Sequence, residues 1–141
     1  PMENVAQVIL HLIRSGIDAL IVASTLKLVI SQRLAPLICS ECKAAHPRSK
    51  EMAAQLNLPP ETNLHYGAGC QRCYFTGRSG RTMLFQTAII DEKFAELISS
   101  EPSLTEIVNH LKATDRYGFR NDALMKCQQG WIHPEDALVY N

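Results

Sequence analysis

Two Cys-x-x-Cys pairs, Cys39-Ser40-Glu41-Cys42 and Cys70-Gln71-Arg72-Cys73, constrain this chain more than any other feature. Two residues between cysteines let both sulfurs of a pair turn onto one cation. Two such pairs complete a tetrahedral shell of four thiolates, the shell that a structural zinc prefers. The stretch from Lys43 to Gly69 is then an insert held at its two ends. A lone pair would carry little weight, because redox enzymes share its spacing. The matched double pair points to metal, with zinc ahead of iron. A dithiol oxidoreductase would leave one pair redundant. The fifth cysteine, Cys127, stands apart. An odd count with two-residue spacings fits a reducing compartment with metal better than a disulfide framework.

Length and charge narrow the class. A chain of 141 residues makes one domain or two small subdomains and can bury a core. It is 46% hydrophobic and 20% charged, the balance of a soluble globular protein. Fourteen basic residues offset fourteen acidic ones, so no charge excess argues for nucleic acid or an anionic membrane as partner. No signal-peptide pattern is visible. The apolar run from Ile17 to Ile38 is broken by Asp18, Lys27, Gln32, Arg33 and Pro36, which makes it core rather than a membrane span.

In chain order, Val5, Val8, Ile9, Leu12 and Ile13 recur at helical spacing, with Gly16 as the C-terminal cap. Asp18 caps a second short helix from Ala19 to about Thr25. Leu26 to Ser31 has the composition of a buried strand, although periodicity alone does not separate strand from helix there. A helical piece is expected near Lys50 to Leu56, stopped by Pro59-Pro60. Tyr66-Gly67-Ala68-Gly69 turns the chain into the second cysteine pair, where glycine lets backbone N–H groups approach thiolates. Gly77-Arg78-Ser79-Gly80-Arg81 has two readings: a tight turn with solvated arginines, or a cluster facing a phosphate or a neighbouring subunit. It is not a P-loop, since no Lys-Ser/Thr follows the glycines.

Thr82 to Ile90 reads as a strand, with Met83, Phe85, Thr87 and Ile89 alternating with the rest. Asp91 caps a helix whose inner face is Phe94, Leu97 and Ile98. Ser103 and Glu106 form a capping box for the next, striped by Leu104, Ile107, Val108 and Leu111. A further helix runs from about Phe119 to Gln129 and stops at Gly130. Pro134 opens a last short one, with Glu135 and Asp136 at its positive end. The expected fold class is α+β and mostly helical: an α/β edge, a tetracysteine knuckle with a helical insert, and a small C-terminal helical bundle.

No Ser/His/Asp or Cys/His constellation stands out. His11, His46, His65, His110 and His133 are scattered and read as surface or cap residues. His46, His65 or Cys127 can substitute as metal ligands, but four thiolates already fill the shell. Trp131 reads as a packing anchor between helices, with peptide binding as the minor reading.

The order of these segments resembles a known family. Ile21-Val22-Ala23-Ser24-Thr25-Leu26, Ser31-Gln32-Arg33-Leu34, the two cysteine pairs and Thr76-Gly77-Arg78-Ser79-Gly80-Arg81 look like the C-terminal part of the type II secretion and type IV pilus assembly ATPases. Asn121-Asp122-Ala123-Leu124 and Pro134-Glu135-Asp136-Ala137-Leu138 are similar to that family's closing helices. The resemblance covers essentially the whole chain. Two positions depart from it: Arg78 stands where the family usually has tyrosine, and Gln86 where it usually has glutamate.

The resemblance implies a homo-hexameric motor, cytoplasmic and peripheral to the inner membrane through platform proteins, that hydrolyses ATP with magnesium. It implies a structural zinc on Cys39, Cys42, Cys70 and Cys73. Residues 1–38 would close a RecA-like nucleotide-binding domain, 39–81 would form the zinc subdomain, and 82–141 a helical subdomain. The nucleotide motifs of the family lie upstream, so this chain looks like a non-catalytic fragment, with no catalytic residue of its own. Arg33, Arg78 or Arg81 would be its only candidates for nucleotide contact. Arg72, Arg78 and Arg81 would lie on the outside of the knuckle, facing an acidic partner surface. Apolar faces left uncovered on residues 1–38 would favour self-association. Neither nucleic acid nor membrane insertion is expected. The alternative is a free-standing zinc module that binds a protein partner. A zinc-ribbon nucleic-acid binder is disfavoured by the balanced charge and the few aromatics near the cysteines.

Overall fold

Apolar spacing at the start of the chain builds helix α1, Val5–Arg14, in the computed structural model, which describes residues 4–114 and 118–140. The Asn4 side chain caps it by accepting from the Gln7 N–H at 3.0 Å. Gly16, just past its end, takes φ +89°, a turn open to glycine because it has no Cβ. Asp18 caps α2, Ala19–Thr25, through the Leu20 N–H at 2.7 Å. Strand β1 follows at Leu28–Ile38, then β2 at Lys43–Ala45, α3 at Ser49–Gln55 and β3 at His65–Gly67. A single 3-10 turn, Gln71–Cys73, precedes β4, Arg78–Ile89. Four helices complete the order: α4 (Glu92–Ser99), α5 (Leu104–Thr114), α6 (Phe119–Gln128) and α7 (Pro134–Leu138). The class is α+β, with two small sheets. One pairs β1 with β4, and the other pairs β2 with β3 antiparallel, Lys43 opposite Gly67 and Ala45 opposite His65.

The chain forms two units, each with its own core. The first takes Pro1–Ser31 and Phe85–Gly118. There α1 packs on α5 and α2 on α4, around Val5, Ile9, Val22, Ile90, Phe94, Ile98 and Ile107. The Gln86 side chain accepts the Val5 N–H at 3.2 Å, a helix-start donor that has no partner inside α1. The Asp91 side chain caps α4 through the Phe94 N–H at 2.9 Å. The Ser103–Glu106 box closes both ways, at 2.8 and 3.3 Å.

The second unit takes Gln32–Leu84 and Phe119–Asn141. Its core is Ala35, Met52, Leu56, Leu64, Leu84, Ala123, Cys127 and Ile132, with α7 packed on α3 and α6. Inside it, Lys126 is buried and reaches the Met83 carbonyl and the Asp122 carboxylate, both at 2.6 Å. Arg33 lies over the Phe119 ring at 4.9 Å, a cation–π contact. Among the described residues no helix is long and apolar enough to cross a membrane.

Several expectations are corrected. Strand β1 runs on past Ser31 to Ile38, through Pro36. A two-stranded ribbon leaves one edge of each strand unladdered, so a proline can sit there without breaking a bond. The glycine–arginine run is no tight turn: β4 begins at Arg78. Alternation leaves the face of β4 open; its buried side is Leu84 and Ala88, with Ile90 just beyond the strand, while Met83, Phe85 and Ile89 are exposed. Leu104 of the α5 stripe is exposed too. Trp131 is 48% exposed, so it is not the buried packing anchor expected. The helices after β4 share no single core: α4 and α5 belong to the first unit, α6 and α7 to the second. The β2–β3 ladder has no counterpart among the expected elements.

Candidate metal centre

Each cysteine sits where an element ends or begins. Cys39 directly follows β1, and Cys42 directly precedes β2. Cys70 caps the 3-10 turn that Cys73 closes. The four sulfurs lie within 4.8 Å of one another. Cys39 to Cys70 and Cys42 to Cys73 are each 3.9 Å, and Cys70 to Cys73 is 3.7 Å. A tetrahedral zinc–thiolate site with bonds of about 2.3 Å has sulfur–sulfur edges of about 3.8 Å. The donor set and its spacing therefore fit such an ion. All five cysteines are free of disulfides.

Backbone donors surround the sulfurs. Cys42 Sγ accepts from the Gly69 N–H at 3.2 Å, and Cys73 Sγ from the Cys70 and Gly77 N–H groups at 3.2 and 3.3 Å. Burial opposes the Cys73 thiolate, but these two N–H groups, helped by the Cys70 and Cys42 thiols, prevail and lower its pKa to about 6. Burial pushes the Cys42 thiol up to about 12, against the single donor from Gly69. Two glycines make the close approach possible. A Cβ on Gly67 would run into the Gly77 carbonyl, and one on Gly77 into the Gly67 carbonyl. Gly77 also holds φ +72° and Gly69 φ +91°.

The other ligand candidates stand elsewhere. Among the described residues the only such cluster is the four cysteines. Cys127 is buried in the core, where burial, with Glu135 and Asp136 adding to it, pushes its thiol up to about 12. His65 Nδ1 is buried without a hydrogen-bond partner, beside Gly130. His46 and His133, read from sequence as surface or cap residues, are 7% and 6% exposed. His46 Nε2 meets Glu135 Oε1 at 3.0 Å, and His133 Nε2 lies 3.2 Å from the Gly77 carbonyl.

The arginines are not all on an outer face. Arg78 grips Asp136 with a two-pronged fork, Nε to Oδ2 at 2.9 Å and Nη2 to Oδ1 at 3.0 Å. Hydrogen bonding to Asp136 raises the guanidinium pKa further. Arg72 pairs with Glu41 at 3.4 Å in the open, where an ion pair contributes little. Arg81 is exposed and lines, with Lys43 and Trp131, an open groove of about 370 Å³. Sequence reading missed Glu135 and Asp136 as partners. Their one signal was placement in the first turn of α7, which helix polarity alone explains.

What this defines is an α+β unit closed around four converging thiols that could hold a metal ion. The profile of the family described as "Type II/IV secretion system protein" matches residues 2–138. The chain belongs to that family. It is 29% identical over 132 residues to the type II secretion system protein E of Pseudomonas aeruginosa, covering 92% of this chain and 26% of that protein. It is 30% identical to the type II secretion system ATPase E of Vibrio cholerae, over 87% of this chain and 25% of that protein. It is also 30% identical to the type IV pilus assembly ATPase PilB of Thermus thermophilus, over 97% of this chain and 16% of that protein. The chain thus spans between 16% and 26% of the length of these relatives.

Proposed function

We propose that this chain is the zinc-bearing C-terminal region of a hexameric ATPase that powers type II secretion or type IV pilus assembly. The observation that carries the reading is the convergence of four cysteine sulfurs at zinc-site spacing in a chain whose relatives are named as secretion and pilus ATPases. Cys39, Cys42, Cys70 and Cys73 hold one structural zinc. Residues 1–38 close a RecA-like nucleotide-binding domain, 39–81 form the zinc subdomain, and 82–141 supply the following helices. Exposed Leu20, Ile21, Leu28 and Ile30 support the idea that other parts of such a domain cover this segment. On this reading ATP and magnesium belong to the intact ATPase, and these 141 residues contain no phosphate-cradling Gly-x-x-x-x-Gly-Lys-Ser/Thr sequence. The partners are neighbouring subunits and inner-membrane platform proteins, and the site of action is the cytoplasmic side of the inner membrane.

On this reading the zinc site fixes orientation and takes no part in chemistry. The experiment uses the intact protein. Cys39→Ser should lose the zinc and impair assembly and secretion or piliation, while ATP affinity is kept. Collapse of ATP affinity with assembly untouched would make the cysteine cluster part of the nucleotide site and refute the reading.

A further inference from the structure

The last helix reaches both legs of the cysteine cluster through three polar residues that touch no sulfur. We propose that His133, Glu135 and Asp136 are positioning residues for the metal site, so that the docking of α7 sets how long the cluster keeps its metal. The proposal rests on the reading of the four cysteines as a metal site.

Gly77 is the pivot. Its N–H donates to Cys73 Sγ at 3.3 Å, and its carbonyl accepts from the Cys39 N–H at 2.9 Å. One residue thus ties a cysteine of each pair together. The same carbonyl lies 3.2 Å from His133 Nε2, which is also 3.4 Å from the Gly67 N–H. The ring tautomer decides whether Nε2 donates to Gly77 or accepts from Gly67. Both glycines belong to the backbone that cradles the sulfurs. Gly67 leads into the Ala68 N–H, which donates to the Cys42 carbonyl at 2.9 Å, and the Gly69 N–H, which donates to Cys42 Sγ.

Two further attachments flank this pivot. Arg78, directly after Gly77, is forked onto Asp136. His46, directly after β2, meets Glu135 at 3.0 Å and accepts the Arg48 N–H on its other nitrogen at 3.2 Å. The first leg is therefore held by Glu135, the second by Asp136, and the pivot between them by His133. Helix polarity alone would welcome two acids at the start of α7. It would not require one of them to meet a buried histidine and the other a guanidinium fork. Groups beyond the ligands that orient them set metal affinity strongly, with losses of roughly 10–100-fold when they are removed.

The test is made on the intact, zinc-loaded protein. Zinc release to a colorimetric chelator is followed for wild type, His133→Ala, Glu135→Gln, Asp136→Asn and Arg78→Lys, with Val139→Ser as a control at an exposed position of the same segment. Release should quicken roughly 10–100-fold in Asp136→Asn and Arg78→Lys. Because the two act as one contact, the double variant should be no faster than the worse single one. Cobalt loaded in place of zinc should show displaced ligand-field bands in His133→Ala, a change that mere loss of global stability does not produce. Glu135→Gln, which keeps a hydrogen-bonding side chain, is the variant least prone to misfold and keeps the test readable. Release within twofold of wild type in every variant, at one metal per chain, overturns the proposal and leaves the metal site standing. A wild-type chain that takes up no zinc or cobalt overturns the metal reading and this proposal together.

Discussion

Glycine is irreplaceable at two places in the cysteine cluster, and the reason is local. Gly77 has a left-handed φ and lies against the Gly67 carbonyl. Gly77→Ala would add backbone strain to a clash with backbone that cannot swing away. Each effect costs about 1–3 kcal/mol. Zinc stoichiometry and urea midpoint should both fall in this variant, while Gly16→Ala, which has open space around it, pays only for its φ of +89°. A second effect belongs to Glu135. Burial raises its pKa, but its own backbone N–H and the His46 contact prevail and hold it below the usual carboxylate range. A depressed carboxylate adds stability that is fully present above the unfolded pKa of about 4.3 and is lost as pH falls through the lower folded value. Melting temperature should therefore decline on acidification below about pH 5, and Glu135→Gln should flatten that acid limb. An unchanged acid limb in Glu135→Gln would remove the residue from the account.

At the scale of elements, what the sequence made legible was whatever depends on neighbours in the chain. The caps at Asp18 and Asp91 and the box at Ser103–Glu106 are read from adjacent residues, and all three close as expected. The cysteine pairs were legible for the same reason, since their spacing is itself the geometry. Contacts between distant segments were not. Nothing near Lys43 says that it will lie opposite Gly67. His46 and His133 look like ordinary polar residues until Glu135 and Gly77 are brought beside them. The face of β4 was open because alternation marks two sides without saying which is covered. A prediction on the caps follows. Asp91→Ala leaves the Phe94 N–H without its acceptor and should cost about 1 kcal/mol. Phe94→Ala, which empties a buried ring site in the same helix, should cost about 3–5 kcal/mol. Chemical denaturation of the two variants checks the ratio, and equal losses would mean that the ring is not a core residue.

For the whole molecule, on the proposed metal reading, metal removal separates what the cysteine cluster supports from what the cores support. A structural zinc contributes on the order of 10–16 kcal/mol to the folding of free zinc-finger peptides at neutral pH. The full amount is not expected here, because the second unit keeps an apolar core around Leu56, Leu64, Leu84 and Ile132 without the ion. The first unit has a separate core with no cysteine in it. Chelation should therefore act unevenly. In a domain of 60–100 residues each 1 kcal/mol moves the melting midpoint by roughly 4–8 °C, so even a fraction of the zinc contribution should lower it by more than about 10 °C. Amide exchange should accelerate through 39–81 and in α7, whose His133, Glu135 and Asp136 contacts lose their fixed counterparts. It should stay slow in α1 and α4, which pack around Val5, Ile9, Phe94 and Ile98. Cys70→Ser should reproduce the chelated pattern without a chelator, since three thiolates leave the shell open. Uniform acceleration through both units would show that the metal supports the whole chain rather than one unit. No acceleration anywhere, with zinc lost, would show that it supports neither.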